Sequence, residues 1–258
     1  MNASIVCELF NNVSVNEEFF ILEFIWDHPS PQAGQFFLLR PERTSVFLAR
    51  PISIFDYNPE TKIVKFLIVK RGKGTVELSQ LSAGEKVRLT GPSGNTWAEF
   101  LPESQTGKIA LVGGSAGVAP LAALIGERPE YNFHLFAGFR QGFREKDEED
   151  AILGAGTRAR KVVITAEDGK NALIGRVVDF IVDLESYDLV FGCGPMPMMN
   201  ALKKKCETKH IPCYLSIESR IACGVGACHG CTINTVKGNK RCCKDGPIFL
   251  AGDVVIDE

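Results

Sequence analysis

The apolar positions of this chain fall into two regimes. Up to about Trp97 they come as short alternating runs cut by turn residues, at Phe19–Ile25, Phe36–Leu39, Ile52–Phe55, Ile63–Val69 and Lys86–Thr90. Such short runs, with little helical periodicity between them, predict an antiparallel β-barrel, and Asn58-Pro59 marks a hairpin turn within it. After Pro102 the pattern changes. Lys108–Val112, Phe133–Ala137, Lys161–Thr165 and Leu189–Phe191 read as buried parallel strands, separated by stretches able to form helices from Val118 onward, over Gly175–Asp183 and over Met196–Lys205. That alternation predicts an open α/β sheet. From Cys213 short strands return, at Cys213–Glu218 and Thr232–Val236, with a hairpin turn at Lys237–Lys240. The expected fold is therefore mixed: a β-barrel over residues 1–100, an α/β domain over 101–212 and a small C-terminal subdomain over 213–258. No internal repeat or low-complexity segment interrupts it.

Composition narrows the function classes. A chain of 258 residues, 45% hydrophobic and 23% charged, has ample material for more than one core. Lys and Arg total 29 against 31 Asp and Glu, a net charge of −2, so the basic footprint of a nucleic-acid partner is missing. Ile109–Gly126 is 18 residues without a charge, but its glycines and Pro120 suit strand, loop and helix better than a membrane span. Nine cysteines, five of them in the last 36 residues, and no signal-peptide pattern at the start point to a reducing cytoplasm and a local metal site.

Those cysteines carry the most specific chemistry. Cys223, Cys228 and Cys231 are spaced C-x4-C-x2-C, the arrangement of three of the four thiolates of a plant-type [2Fe–2S] cluster. Gly224, Gly226 and Gly230 lie between them and let backbone N–H groups turn inward towards an anionic cluster. Structural zinc would ordinarily use well-separated C-x2-4-C pairs, a disulfide framework suits a secreted chain, and a Rieske-like use of His229 would require a second histidine. Iron–sulfur is the reading that fits. Cys242 and Cys243 both return near the first three, and as neighbours on an extended strand they point opposite ways, so spacing alone leaves the fourth ligand open.

Two further groups of residues suit nucleotides. Arg50-Pro51-Ile52-Ser53 resembles the R-x-Y-S type motif of the ferredoxin reductase family, in which the arginine meets the flavin pyrophosphate and the hydroxyl end lies against the isoalloxazine. Ile52 stands where relatives often have an aromatic. Leu67-Ile68-Val69 leads into a glycine loop and a helix expected to open at Gly74-Thr75, where free N–H groups would face phosphate. Gly91-Pro92-Ser93-Gly94-Asn95 matches the stretch that closes the flavin domain of such reductases. In the second half, Gly113, Gly114 and Gly117 follow the first α/β strand in a loop suited to a pyrophosphate, although Ser115-Ala116 replaces part of the usual glycine run. Cys193-Gly194-Pro195 resembles the C-G-P segment that faces the nicotinamide. Arg140 and Arg144 would welcome a 2′-phosphate and the acidic run Glu145–Asp150 would not, so these residues leave NAD or NADP undecided.

Taken whole, the chain resembles the electron transfer subunit of type B dihydroorotate dehydrogenase, in three parts in the same order. The most specific match is A-C-G-V-G-A-C-H-G-C followed by C-K-D-G-P-I-F. The resemblance implies Cys243 as the fourth ligand, FAD and a [2Fe–2S] cluster as cofactors, and NAD as an exchangeable substrate. It also implies a separate FMN-containing catalytic subunit as partner, in a heterotetramer of two of each serving pyrimidine biosynthesis. No general base for dihydroorotate is expected in this chain. The same plan would serve a small reductase subunit of a ferredoxin–NAD(P) oxidoreductase, sulfide dehydrogenase or hydrogenase-type complex, and a zinc-stabilised scaffold is the non-catalytic alternative.

Overall fold

The computed structural model describes residues 3–256. Seven antiparallel strands form the first sheet: β1 (Ala3–Ser14), β2 (Phe19–Ile25), β3 (Phe36–Pro41), β4 (Arg50–Ser53), β5 (Asp56–Asn58), β6 (Ile63–Val69) and β7 (Lys86–Ser93). A short helix, α1 (Lys73–Ser79), joins the last two. The spatial order is β4-β3-β7-β1-β2-β6-β5, so the ladder curls but its two outermost strands are not paired with each other. The expected barrel is thus a half-barrel. The fourth strand begins two residues before the predicted Ile52, because Arg50 and Pro51 already pair with Leu39 and Leu38.

The second sheet has the order β11-β10-β9-β8-β12-β13-β16. Its members are β8 (Lys108–Gly114), β9 (Asn132–Phe139), β10 (Lys161–Ala166), β11 (Leu173–Ile174), β12 (Leu189–Cys193), β13 (Cys213–Ser216) and, beyond the cysteine loop, β16 (Ile248–Leu250). Helices α2 (Val118–Glu127), α3 (Lys146–Leu153) and α4 (Met196–Lys209) connect them. All pairings are parallel except that of β13 with β16. The stretch Gly175–Asp183, read as able to form a helix, holds only a single 3₁₀ turn at Val177–Phe180, with loop on either side of it. Between β13 and β16 lie the hairpin β14 (Thr232–Ile233) and β15 (Lys240–Arg241) and a one-turn helix, α5 (Cys242–Asp245). Residues 213–258 therefore contribute strands to the α/β sheet on both sides of the cysteine loop.

Strand β3 shows why the parts hold together. Side chains alternate across a strand, and here Phe37 and Leu39 enter the half-barrel core while Phe36 and Leu38 enter a different core, shared with Ile217, Ile221, Cys231, Cys242 and Cys243. The strand is apolar on both faces because both are covered. A second tie is polar. The Asn95 side chain donates to the Ile248 carbonyl at 2.9 Å and accepts from the Ile248 N–H at 3.0 Å, and the Asn95 N–H donates to the Gly246 carbonyl at 2.7 Å. The Gly91–Asn95 stretch thus ends the half-barrel and also clamps the last strand of the other sheet. On the opposite side, the Ala33 N–H donates to a Glu127 carboxylate at the end of α2, at 2.7 Å.

Ile248 is 1% exposed, so deleting the Asn95 amide strands a buried N–H and a buried carbonyl. Asn95→Ala is expected to cost about 2–6 kcal/mol, at about 1–3 kcal/mol for each of the two unsatisfied groups. Urea unfolding of the purified variant measures this, and a loss below about 1 kcal/mol would mean that water replaces the clamp.

Candidate functional site

The cysteine loop is built from backbone turns that point N–H groups at sulfur. Gly226 N–H lies 3.1 Å from the Cys243 sulfur, Cys228 N–H 3.5 Å from Cys223, Gly230 N–H 3.4 Å from Cys228 and Cys243 N–H 3.5 Å from Cys231. The sulfurs form two pairs. Cys231 and Cys243 are 3.3 Å apart, and the Cys228 thiol bonds to the Cys223 sulfur. Among the described residues no three His, Cys, Asp or Glu side chains converge on the point a single metal ion would occupy. A tetrahedral zinc site needs all four sulfurs roughly 3.8 Å from one another, given Zn–S bonds of about 2.3 Å. Two pairs suit two irons, and inward N–H groups suit an anionic cluster, so the donor set fits a [2Fe–2S] group.

Charge on these sulfurs follows their surroundings. Burial opposes ionisation of Cys223, but the N–H groups of Cys228, Val225 and Ala227 together with the Cys228 thiol outweigh it and bring the pKa down to about 6. Cys243 is pushed up to about 12, first by burial and then by the Cys231 sulfur beside it. Cys242 also rises to about 12, by burial and by the nearby charges of Cys231 and Cys243. The two neighbours differ in direction. Cys243 turns its sulfur to Cys231 and Gly226 N–H, whereas Cys242 is wholly buried and its thiol is hydrogen-bonded to Ser219.

Around the R-P-I-S strand the structure brings Arg50 and Gly74 together. A Cβ built on Gly74 would lie 2.9 Å from Arg50 Cδ and 3.1 Å from its Nε, so the absence of a side chain makes the channel in which the guanidinium lies. Arg50 Nη2 donates to the Leu48 carbonyl at 2.7 Å, while its buried Nε has no hydrogen-bond partner. A buried donor without an acceptor, beside the first turn of α1, fits a diphosphate oxygen. The helix opens at Lys73 rather than at Gly74, and Thr75 Oγ1 is turned back to accept from the N–H groups of Arg71 and Gly72. Ile52 is half-buried against the half-barrel core, Pro51 is exposed and Ser53 is half-buried. Leu67 and Ile68 are buried in two different cores, and Val69 keeps some surface.

The glycine loop and the C-G-P segment meet at the point where the sheet order reverses, between β8 and β12, which is where open α/β sheets bind ligands. Gly117 abuts the Cys193 carbonyl, and Gly114 packs on Pro195 and Met198. Ser115, which stands in the usual glycine run, adopts φ 53°, a left-handed conformation that glycine takes without strain. Gly194 adjoins Gly114 across the same crevice. The Cys193 thiol is driven up to about 12 by burial and by the Glu218 charge, and it bonds to the Ser216 hydroxyl. Glu218 reaches solvent yet is walled in on most sides, as in a cleft. Burial raises its carboxyl above the ordinary range, and Arg71 of the half-barrel pulls it back. Arg144 is paired with Glu17 at 2.8 Å and is committed to that carboxylate.

Sequence reasoning missed Ser216 and Glu218, for which the polar ending of the strand predicted over Cys213–Glu218 was a signal. Two measurements test the cysteine geometry. Cys243→Ser is expected to abolish or destabilise cluster binding, read as iron and acid-labile sulfide per chain, and Cys242→Ser to leave it largely intact; the reverse would reassign the fourth ligand. In chain stripped of iron, iodoacetamide at pH 7 should alkylate Cys223 first, with the rate falling as pH drops through about 6, while Cys193 stays unmodified.

Comparison with known proteins agrees with this geometry. Residues 218–255 match the model of the iron–sulfur cluster binding domain of dihydroorotate dehydrogenase B. The electron transfer subunit of dihydroorotate dehydrogenase B (NAD(+)) from Clostridium acetobutylicum is 35% identical over 97% of both chains. The subunit of the same name from Caldanaerobacter subterraneus is 33% identical over 96% of both, and that from Streptococcus mutans 36% identical over 88% of both. Among solved structures, a chain of an NADH-dependent reduced ferredoxin–NADP oxidoreductase aligns with a TM-score of 0.81 at 24% identity, covering 100% of this chain and 92% of its own. A ferredoxin–NADP⁺ reductase from Neisseria gonorrhoeae with bound FAD and NADP aligns at 0.66 with 13% identity, over 80% of this chain and 91% of its own. These last two share the fold. With its sequence matched end to end, its half-barrel and α/β sheet in order and its four sulfurs gathered in the tail, this chain belongs to the family of dihydroorotate dehydrogenase B electron transfer subunits.

Proposed function

We propose that this chain carries electrons between NAD and the FMN of a separate dihydroorotate dehydrogenase catalytic subunit, by way of FAD and a [2Fe–2S] cluster, in the cytoplasm and in the service of pyrimidine biosynthesis. The observation that carries this reading is the placement of the four sulfurs: their loop is packed against β3, the strand that pairs with Arg50–Ser53, so the one-electron site and the candidate flavin strand are built on one sheet. A flavin exchanges two electrons with nicotinamide and single electrons with an iron–sulfur centre, which is the conversion such a chain must supply.

Each group of residues has a part in that scheme. Arg50 offers its unpartnered Nε and fixed fork to the diphosphate of FAD, in the channel left by Gly74. Backbone along Arg50–Ser53 and at the end of Leu67–Val69 would hold the ring of the flavin, with Thr75 fixing the turn that presents Gly74. Gly113, Gly114 and Gly117 on one side, and Cys193, Gly194 and Pro195 on the other, frame the crevice for NAD. Cys193 stays a neutral thiol there, small and held by Ser216, so it adds no negative charge of its own to the crevice. Cys223, Cys228, Cys231 and Cys243 are the cluster ligands. Among the described residues no helix is long and apolar enough to cross a membrane.

The test is reduction followed by hand-over. Purified chain should contain flavin, iron and sulfide, lose its flavin colour on adding NADH, and bind and reduce an FMN-containing dihydroorotate dehydrogenase. If NADH reduces the chain but no such flavoprotein associates or accepts electrons, it serves another acceptor and the subunit assignment falls.

A further inference from the structure

We propose that Leu38 is a positioning residue for electron exchange, the spacer that sets how closely the cysteine loop sits to the Arg50–Ser53 strand; this rests on the function proposed above. Residues directly opposite one another in an antiparallel pair share a face. Leu38 is opposite Pro51 and Phe36 is opposite Ser53, so the alternate side chains of the candidate flavin strand face the same way as the pair that enters the core of the cysteine subdomain. On that face Leu38 meets the loop itself. A Cβ built on Gly224, the residue after Cys223, would lie 2.7 Å from Leu38 Cδ1 and 3.3 Å from Cγ. The backbone carrying the first cysteine is therefore in contact with the isobutyl group, and that side chain is 3% exposed.

The contact is set from both directions. Gly224 has φ 69°, where a side chain is strained, and its missing Cβ leaves the room that Leu38 fills. Leu38 cannot retreat, because its strand is hydrogen-bonded on both sides, to β4 and to β7, and its neighbours Phe37 and Leu39 are anchored in the half-barrel core. Any bulk added at either partner must move the loop away from the sheet, while bulk removed from one makes room for bulk added to the other. A purely structural contact would change stability with these substitutions; a spacer also changes the rate at which electrons cross, without touching the nicotinamide crevice between Gly114 and Cys193.

The experiment uses the purified chain with its cofactors, mixed rapidly with NADH, with flavin bleaching and cluster bleaching followed separately and cluster integrity read from its paramagnetic resonance signal after dithionite reduction. In Gly224→Ala, cluster reduction is expected to slow severalfold, since electron transfer weakens as the centres are moved apart, while flavin reduction by NADH keeps the wild-type rate. The double variant Leu38→Ala/Gly224→Ala should recover part of the cluster rate, because the new methyl occupies the vacated space while the strain of a side chain at φ 69° remains. Should Gly224→Ala hold no cluster, Leu38→Phe presses on the loop from the sheet side with the loop sequence intact and should show the same selective slowing. Cluster reduction at the wild-type rate in whichever of these single variants holds its cluster, or a failure of the double variant to recover with its resonance signal intact, overturns the proposal. Wild-type flavin that NADH does not reduce would instead overturn the proposed function.

Discussion

Over Phe36–Leu39, strand β3 has no face left for water, and much of the molecule follows from that. A sheet with one buried face closes a single core; a strand buried on both must have a second layer, and here the layer is the cysteine subdomain laid over Phe36 and Leu38. The subdomain in turn could not bury so small a patch by itself. Its own apolar residues, Ile217, Ile221 and Val254 among them, complete a core whose other walls come from the half-barrel and from the α/β sheet. Hydrophobic burial is non-directional, so the apolar contact holds the subdomain on the sheet without choosing its register. Direction comes from polar ties, above all the Asn95 amide reading both groups of the Ile248 backbone.

The electrostatics are arranged to the same end. In the cysteine loop, peptide N–H groups aimed at sulfur let Cys223 ionise near pH 6, although burial and Cys231 hold Cys243 high; in the crevice between β8 and β12, burial keeps Cys193 neutral at any ordinary pH. Identical side chains are thus sorted into opposite roles by the backbone around them, which is the distinction between a ligand thiolate and an inert buried thiol. Cys242 and Cys243, both held high, differ instead in direction: Cys242 is folded into the core and Cys243 is turned to the other sulfurs.

The sequence made some of this legible. Period-two runs announced the strands of the half-barrel, and buried apolar runs with glycine loops announced the α/β sheet, because those patterns are imposed by local geometry. The cysteine spacing was legible for the same reason: ligands within nine residues are placed by one loop. What was not legible depended on contacts between distant segments. The double-sided burial of β3 looks in sequence like any apolar strand, and the failure of the half-barrel to close depends on which strands end at its edges. Gly91–Asn95 read as the closing turn of one domain, but the partner of Asn95 lies 153 residues away. Spacing left Cys242 and Cys243 undecided because neighbours on the expected extended strand simply point opposite ways; they lie instead on the one-turn helix α5, and only the packing of distant segments shows which of them meets the other sulfurs.

The position of β16 ties the parts of the molecule together. The α/β sheet begins at Lys108, but one of its edges is residues 248–250, which lie beyond the cysteine loop and are fastened to Asn95 at the end of the half-barrel. Because β16 both pairs with β13 and holds the Asn95 amide, loss of this one short strand would open an edge of the α/β sheet and unfasten that sheet from the half-barrel together.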